Sequence, residues 1–340
     1  MSEKLKIAVV GIGYWGPNLV RNFLKNDHVS GVVCIDTDRN RLDFILKQHP
    51  NVETETSFER VLDNADVDAV VISTPVSTHY PMAKSALEHG KHVLIEKPMT
   101  SNSRDAKTLY ELAKEKSLVL MVDHIFVYNG AIRKIKELIK TGEIGNIMYY
   151  DAVRINLGLF QHDVNVIWDL AIHDLSIMDF LLPEKPVAVS AVGIGHYDNR
   201  IENISYLTLF FKNNCIGHIN VNWLAPVKIR RILIGGDKKM IVFDDVEPVE
   251  KIRVYDKGVS AKTQEGIYQT LIQYRTGDMY APKFDTTESL ESVASEFTGS
   301  IRKRSDPLTD GAEGIRMIKL LEAAEKSLKN NGCIVDLNGI

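Results

Sequence analysis

Three groups of residues in this 340-residue chain have the types and spacing needed for chemistry on a small molecule. The first is Gly11, Gly13 and Gly16, which spell G-x-G-x-x-G. Such glycines permit a tight turn and let the backbone approach a pyrophosphate, whose charge is favoured at a helix N-terminus. Asp36 follows about 20 residues later, where a carboxylate can accept hydrogen bonds from adenosine ribose hydroxyls. We therefore expect a dinucleotide site, although the same residues could merely turn the chain and cap the next helix.

Asp36 also bears on which dinucleotide binds. Its carboxylate would repel the 2′-phosphate of NADP, which favours NAD. Arg39 complicates that choice, because its guanidinium group could stack on adenine or pair with a phosphate. The other residues expected at the cofactor lie in the glycine loop or follow later strand candidates: Tyr14, Trp15, Ser73, Thr74, Pro75, His79, Glu96 and Lys97. Thr74 and Pro75 could instead form a simple strand-end turn, and His79 could be solvated or cap a helix.

The second and third groups are Glu96-Lys97-Pro98 and the pair Asp169 and His173. By type alone, Lys97 could be a catalytic group or a solvated lysine beside a turn-forming proline. Asp169 and His173 stand four residues apart on an apolar helical stretch, so both project from one face. A buried polar pair needs a partner, which here is either a structural Asp–His hydrogen bond or a substrate. No third ligand stands at evident metal spacing, so we expect no metal.

The elements before about Val122 alternate short β-branched runs with amphipathic stretches, which is typical of βαβ units and a parallel sheet. The motifs above follow strand ends, and α/β sheets bind their ligands at the carboxyl edge. We predict an NAD-binding Rossmann domain with a doubly wound parallel sheet over residues 1–123. Its strand candidates are Lys6–Val10, Gly31–Ile35, Ala69–Ser73, His92–Ile95 and Val119–Val122, and Ser77–His89 is a helix candidate.

The pattern changes after Asp123. Two helical stretches, Gly130–Lys140 and Asn165–Leu182, come first, and Gly314–Leu328 closes the chain as a helix. Between them lie the strand candidates Val187–Gly195, Ser205–Lys212, Gly217–Trp223, Arg230–Ile234, Met240–Phe243 and Lys251–Tyr255. Strands in succession with short turns predict an antiparallel sheet rather than further βαβ units. We therefore predict a second, substrate-binding and oligomerisation domain over residues 124–340.

Composition narrows the class of protein. A net charge of −4 and the absence of a basic segment give no reason to expect a nucleic-acid partner. The first apolar run is too short and glycine-rich for a signal peptide or membrane span, so we expect a cytoplasmic protein with no membrane partner. Cys34, Cys215 and Cys333 are widely separated, which indicates neither a disulfide framework nor a cysteine zinc site.

Together, these motifs resemble the Gfo/Idh/MocA family of oxidoreductases. The matching features span most of the chain: the glycine loop with Asp36, Thr74-Pro75 with His79, Glu96-Lys97-Pro98, and Asp169-x-x-x-His173 followed by Asp174. The resemblance implies an NAD(P)-dependent enzyme acting on CH–OH groups, with a Rossmann domain followed by a domain built on a large open antiparallel sheet. It also implies a cis bond before Pro98 and a homo-dimer or homo-tetramer formed through that sheet.

The resemblance makes Lys97, Asp169 and His173 the catalytic, substrate-contacting residues. We expect His173 to be the base, since a pKa near 6.5 suits proton acceptance at neutral pH better than that of a lysine near 10.4. Lys97 would orient the hydroxyl and stabilise the developing alkoxide, and Asp169 would orient the other groups. The roles of His173 and Lys97 remain exchangeable, because burial and a nearby nicotinamide cation can depress a lysine pKa.

Four stretches are similar to the branch that acts on nucleotide sugars, especially the 3-dehydrogenases of UDP-N-acetylglucosamine and its uronic acid: residues 13–18, 122–129, 163–165 and 223–230. They imply oxidation at C3, feeding the synthesis of cell-surface polysaccharide or lipid A sugars. A UDP-sugar site needs cations for the diphosphate and polar groups for the hydroxyls. The candidates are Tyr128, Arg154, Asn156, Asn165, Lys228 and Arg230, although such charges could simply mark the solvated face of a sheet.

Other functions remain open at this stage. The enzyme alternatives are a reductase of dTDP-ketosugars and a dehydrogenase of inositol or free sugars. A different class is an NAD-sensing regulator that has lost catalysis. Such a regulator need not keep Lys97, Asp169 and His173 together, which favours the enzyme.

Overall fold

The computed structural model describes residues 4–158, 164–197, 201–262 and 271–337. Asp163, the first residue of one nucleotide-sugar stretch, therefore lies outside the described residues. The chain packs into two compact units. Unit 1 comprises Met1–Tyr128 and Thr287–Lys319, and unit 2 comprises Asn129–Thr286 and Leu320–Ile340.

Unit 1 is built on a six-stranded parallel sheet with the order β3-β2-β1-β4-β5-β6. Its strands are β1 (Leu5–Val10), β2 (Val29–Ile35), β3 (Glu53–Glu55), β4 (Ala69–Ile72), β5 (His92–Glu96) and β6 (Leu120–Asp123). Its helices up to this point are α1 (Gly16–Leu24), α2 (Arg39–Gln48), α3 (Phe58–Leu62), α4 (Val76–Glu88) and α5 (Ser103–Glu115). The central strands are apolar throughout because helices cover both faces of such a sheet. The predicted Rossmann fold is confirmed.

Three of these helices begin where a side chain accepts a backbone N–H, and at the start of α3 Ser57 accepts from Arg60. Asp38 accepts from Asn40 at the start of α2, and Asn102 accepts from Asp105 at the start of α5. A short 3₁₀ turn, Ile125–Tyr128, follows β6. These caps fix where each helix leaves the carboxyl edge of the sheet, which is the edge where the predicted motifs lie.

Unit 2 is built on a nine-stranded sheet with the order β16-β13-β12-β11-β7-β10-β9-β8-β17. Its helices before residue 287 are α6 (Gly130–Lys140) and α7 (Ile172–Leu181), and β14 (Gly258–Lys262) and β15 (Leu271–Arg275) pair antiparallel as a separate two-stranded sheet. The strands of the large sheet are β7 (Ile147–Leu157), β8 (Ala188–Ile194), β9 (Ile204–Phe210), β10 (Ile216–Asn222), β11 (Leu224–Gly236), β12 (Met240–Asp244), β13 (Ile252–Tyr255), β16 (Met279–Tyr280) and β17 (Val335–Asp336).

The large sheet is mixed rather than purely antiparallel, because β10 pairs parallel to β7. Parallel neighbours need a long crossover, and the connection from β7 to β10 contains α7 and the β8–β9 pair. The helix predicted over Asn165–Leu182 also differs in detail. A π-helical turn over Ile167–Ala171 precedes α7 and contains Asp169.

Unit 1 also contains a late part of the chain that the predicted division after Asp123 placed in the second domain. The helices α8 (Ser289–Lys303) and α9 (Gly311–Lys329) follow unit 2, and residues up to Lys319 pack in unit 1. The rings of Phe23 and Phe297 meet edge to face at 6.3 Å between centroids. Arg21 donates two hydrogen bonds to Glu288, at 2.8 and 2.6 Å. Local sequence periodicity could not predict this packing, since the Arg21–Glu288 contact joins residues that are 267 positions apart.

Candidate functional site

The glycine loop after β1 is shaped by steric requirements at two of its glycines. Gly11 has φ of +91°, and a Cβ there would lie 2.7 Å from the carbonyl oxygen of Ser73. A Cβ on Gly16 would overlap the carbonyl oxygen of Gly11. The Ser73 hydroxyl donates to that carbonyl at 2.7 Å, which ties the loop to the end of β4. Gly13 is different, because its nearest neighbour would be Arg41 at 3.8 Å, so this part of the loop stays open.

Asp36 lies at the end of β2 with 7% of its surface exposed. Its carboxylate accepts backbone hydrogen bonds from Ile12 at 2.8 Å and Asp38 at 2.9 Å. Arg41 lies 3.3 Å from the same carboxylate. These contacts fix the orientation of Asp36 against the glycine loop, and a carboxylate has lone pairs left for further donors.

A cavity of about 610 Å³ opens between these features. Its walls include most of the predicted cofactor residues: Gly11, Gly13, Tyr14, Trp15, Asp36, Ser73, Thr74 and Pro75. The volume is typical of small-molecule sites. Glycine-lined walls beside a buried carboxylate fit the phosphates and ribose of a dinucleotide, so the residues present suit NAD.

Sequence reasoning missed several walls of this cavity: Thr37, Arg41, Thr56, Phe58, Glu59, Thr78 and Met82. It chose Arg39, which occupies the exposed first position of α2 and does not line the cavity. Arg41 does, because helical side chains lean toward the N-terminus and Arg41 leans back toward Asp36. Asp38 is a residue type that favours helix N-caps, and this could have indicated where α2 starts. The start of the helix decides which arginine side chain reaches back to Asp36.

His79 is almost fully buried on α4, with 1% of its surface exposed. Its Nδ1 lies 2.9 Å from the carbonyl oxygen of Pro98, and its Nε2 lies 2.8 Å from that of Thr74. Burial lowers its pKa. His79 is therefore neither solvated nor a helix cap: its ring joins the end of β4 to the loop after β5.

Lys97 follows β5, and the Lys97-Pro98 bond is cis. Glu96 and Asp123 are partners in the register of β5 and β6, at the carboxyl ends of both strands. Burial raises the pKa of Glu96 to about 7, although Lys97 opposes the rise. Burial, followed by the adjacent Glu96, raises the pKa of Asp123 well above its usual range. Sequence reasoning had placed Glu96 at the cofactor and had not singled out Asp123.

Tyr128 and His124 are held inside unit 1. Tyr128 is 1% exposed, and its hydroxyl lies 3.0 Å from the hydroxyl of Thr309. Burial raises the pKa of Tyr128. The ring of His124 lies 3.4 Å from the carboxylate of Glu313. Tyr128, predicted to contact the sugar, thus uses its hydroxyl within unit 1.

The Asp169 side chain in unit 2 has a fixed donor. Trp223 donates from Nε1 to Asp169 Oδ2 at 3.0 Å. Asp169 belongs to the π-helical turn and His173 to the first turn of α7. Neither side chain is fully buried. Single π-helical turns within helices often occur at functional sites, which makes this pair the strongest candidate for chemistry in unit 2.

Other residues predicted to bind the sugar have partners within unit 2. Arg154 and Asp174 form a pair with two hydrogen bonds, at 2.7 and 3.0 Å, and their side chains are only 3% and 2% exposed. Asn165 donates to Glu202 at 3.0 Å and accepts from the backbone of Ile167 at 3.1 Å. Both residues thus stabilise the region around α7 and the π-helical turn that contains Asp169.

The remaining predicted cations lie on β11. Arg230 lies 3.4 Å from Asp245, and Arg231 donates to Asp244 at 2.8 Å. Lys228 is exposed and stands where the register of β11 against β7 is interrupted, between Leu224 and Ile229. Asn156 is partly exposed near the end of β7.

In the ranges that the structure covers, no group of three or more His, Cys, Asp or Glu side chains is placed to hold a metal ion. None of the helices in those ranges combines the length and apolarity needed to cross a membrane.

Comparison with known proteins places these features in a family. The model of an oxidoreductase family with an NAD-binding Rossmann fold matches residues 5–124, and that of the Gfo/Idh/MocA C-terminal domain matches residues 132–242. The chain belongs to the Gfo/Idh/MocA oxidoreductase family. The predicted family, the oxidoreductase class and NAD as cofactor are thereby confirmed.

Individual relatives differ in what they act on. A UDP-N-acetylglucosamine 3-dehydrogenase from Acidithiobacillus ferrooxidans is 26% identical over 92% of this chain and 94% of its own length. A scyllo-inositol 2-dehydrogenase (NAD⁺) from Bacillus subtilis is 26% identical over 71% of this chain and 75% of its own length. The match to an uncharacterized oxidoreductase from Streptococcus pneumoniae, 28% identical, spans 56% of this chain but only 53% of that relative.

Solved structures share the whole fold. The Acidithiobacillus ferrooxidans enzyme superposes with a TM-score of 0.78 at 23% identity, covering 96% of this chain and 98% of its own. A levoglucosan dehydrogenase in complex with NADH and L-sorbose gives a TM-score of 0.82 at 18% identity, covering 98% and 99%. At these identities the likeness establishes the fold, a Rossmann domain followed by a domain with a large sheet.

Proposed function

We propose that this protein oxidises a secondary hydroxyl, at C3, of a UDP-activated amino sugar such as UDP-N-acetylglucosamine or its uronic acid, with NAD as oxidant. The observation that carries the dehydrogenase chemistry is the Asp169–His173 pair on the π-helical turn and α7, with Asp169 held by Trp223 at 3.0 Å. The sugar class is supported by the match to the Acidithiobacillus ferrooxidans enzyme along nearly all of both chains.

The proposed reaction removes a proton from oxygen and a hydride from the adjacent carbon. NAD, when bound, accepts the hydride. We assign the proton to His173, since the ordinary pKa of an imidazole is matched to neutral pH. Lys97 donates a hydrogen bond to the developing alkoxide, which a cation stabilises, and Asp169 orients the reacting groups. The products are a ketone at the oxidised carbon, reduced NAD and one proton.

Recognition of the diphosphate is assigned to β11. Lys228 is exposed in the irregular part of that strand. Its ammonium group is therefore accessible to a phosphate. Arg230 and Arg231 already face Asp245 and Asp244, and would have to share their guanidinium groups. Asn156 is the accessible amide on neighbouring β7 and is assigned to the sugar hydroxyls.

Two other enzyme functions have support of the same kind. A dTDP-3,4-didehydro-2,6-dideoxy-alpha-D-glucose 3-reductase from Streptomyces violaceoruber is 41% identical over 90 residues, which are 26% of each chain. The scyllo-inositol dehydrogenase is the second. The joint presence of Lys97, Asp169 and His173 disfavours a regulator without catalysis.

The sheet of unit 2 supports a homo-dimer or homo-tetramer. Four large apolar side chains on its strands β8, β9 and β10 are 44–56% exposed: Val192, Ile194, Tyr206 and Ile216. Clustered exposed apolar residues are typical of an interaction surface. Light scattering of the purified protein would report the number of copies.

The test of the function is a substrate panel. The protein is incubated with NAD and, separately, UDP-N-acetylglucosamine, its uronic acid, a dTDP-sugar, scyllo-inositol and free glucose, while absorbance at the reduced-nicotinamide band is followed. We expect reduction with one of the UDP-sugars only. Reduction with inositol or free sugar alone, or failure of both UDP-sugars, would remove this proposal.

A further inference from the structure

The carboxyl ends of β5 and β6 hold an arrangement that the proposed reaction does not use. Glu96 and Asp123 are register partners on these neighbouring strands, and their side chains are hydrogen-bonded to each other. Asp123 is 2% exposed, and its Oδ1 has no hydrogen-bond partner among the residues that the structure describes. Two carboxyl groups in contact, one of them buried, cannot both ionise without a large cost, so one of them retains a proton.

Lys97 directly follows Glu96 and interacts electrostatically with both carboxyl groups. The Lys97 cation favours ionisation of both carboxyl groups, while burial opposes it. Burial raises the pKa of both carboxyl groups, that of Glu96 to about 7, so the pair loses its two protons in separate steps. Above about pH 7 the two side chains together carry one negative charge beside one ammonium group.

Other titratable side chains also lie around this strand end. Burial lowers the pKa of His79 and raises that of Tyr128, so both side chains are uncharged. The ring of His124 and the carboxylate of Glu313 lie 3.4 Å apart and face each other. Neighbouring β4, Ala69–Ile72, contributes no titratable side chain. The proposed reaction also brings Asp169 and His173 to the group that Lys97 contacts, and both are unchanged in every variant used below.

We propose that Glu96 and Asp123 act as one positioning unit for Lys97, holding a single proton between them and presenting the ammonium group with one negative charge. This keeps Lys97 protonated as a hydrogen-bond donor and leaves proton acceptance to His173. The inference rests on the role assigned to Lys97 in the proposed function. Both residues act through Lys97 and do not touch the substrate.

The first test needs neither substrate nor cofactor. Protein labelled with ¹³C at the Asp and Glu carboxyl carbons is titrated by NMR, and the two resonances are assigned by their loss in Glu96→Gln and Asp123→Asn. We expect Glu96 to titrate at about 7. Glu96→Gln should lower the Asp123 midpoint by at least one pH unit, because a neutral amide donor replaces the adjacent carboxyl. Exposed Glu115→Gln is the matched control and should move neither midpoint.

The second test measures the charge at Lys97 by its rate of acetylation at pH 8, quantified by mass spectrometry. Either single variant keeps one carboxylate and should keep the wild-type rate within about twofold. The double variant removes the charge and should raise the rate several-fold, and its turnover should fall while NADH binding is retained. An ordinary midpoint for both carboxyl groups, or an unchanged acetylation rate in the double variant, would overturn the proposal. These outcomes are independent of the substrate panel, so the two proposals can fail separately.

Discussion

The two units of this protein use their polar residues differently. In unit 1 most residues of the predicted cofactor motif face one cavity, and the backbone shapes it: Gly11 and Gly16 have no room for a side chain. In unit 2 two predicted substrate residues bind other side chains of the unit: Arg154 binds Asp174, and Asn165 binds Glu202. The difference shows that a cofactor site built from backbone geometry is readable from spacing. A sugar site built from side chains depends on which distant partners they meet.

The largest effect should come from Lys97 and His173, the proposed hydrogen-bond donor and the proposed base. Lys97→Met or His173→Asn is expected to lower turnover by about 10²–10⁴-fold, the range typical of a lost acid–base group. NAD binding, followed by fluorescence of NADH, should remain nearly intact. Lys107→Met, which changes a lysine that is 68% exposed, serves as the control. Wild-type rates in both active-site variants would contradict the catalytic assignment.

Arg154→Met tests whether Arg154 stabilises the fold of unit 2 rather than binding the substrate. Removing one partner of a buried ion pair costs about 3–5 kcal/mol, because the other charge is left uncompensated. Arg231→Met, whose side chain is 49% exposed beside Asp244, should cost less than about 1 kcal/mol. Urea unfolding of the two variants measures both free energies. If Arg154→Met kept its stability and instead raised KM for the sugar, Arg154 would belong to the substrate site.

Substitutions of Gly13 and Gly16 test whether the backbone of the glycine loop shapes the cofactor site of unit 1. Gly16→Ala should lower the melting temperature as well as NAD binding, because its Cβ would overlap the Gly11 carbonyl. Gly13→Ala has room within the protein and should melt normally, yet weaken NAD binding by about tenfold or more, equivalent to about 1.4 kcal/mol. Calorimetry gives both quantities. Normal NAD affinity in Gly13→Ala would mean that the phosphates lie elsewhere.

The smallest effect should separate the two arginines near Asp36. Arg41→Ala is expected to weaken NAD binding about two- to fivefold, since Arg41 lines the cavity and an exposed charge contributes less than about 1 kcal/mol. Arg39→Ala should leave the affinity unchanged, because Arg39 lies outside the cavity walls. If Arg39→Ala weakened NAD binding in the same titration and Arg41→Ala did not, the sequence-based prediction of Arg39 as the cofactor-binding arginine would be correct.

The sequence predicted the elements of unit 1 closely because β-branched runs and glycine punctuation are local signals. The run Lys6–Val10 became β1 with one added residue, and Gly130–Lys140 in unit 2 matched α6 at both ends. The parallel β7–β10 pair and the return of α8 were not predictable, since both depend on contacts between distant segments. The π-helical turn at Asp169 was missed for a related reason: one extra residue in a helical turn leaves the apolar pattern almost unchanged.

The most direct test of the central claim follows a single hydrogen atom. UDP-N-acetylglucosamine and its uronic acid, each deuterated at C3, are incubated with the protein and NAD, and the reduced cofactor is analysed by mass spectrometry. The claim predicts deuterium in the reduced nicotinamide from one of these substrates, and none from the same sugars deuterated at C4. Reduced nicotinamide without deuterium from the C3-labelled sugars, or label arriving from C4, would contradict it.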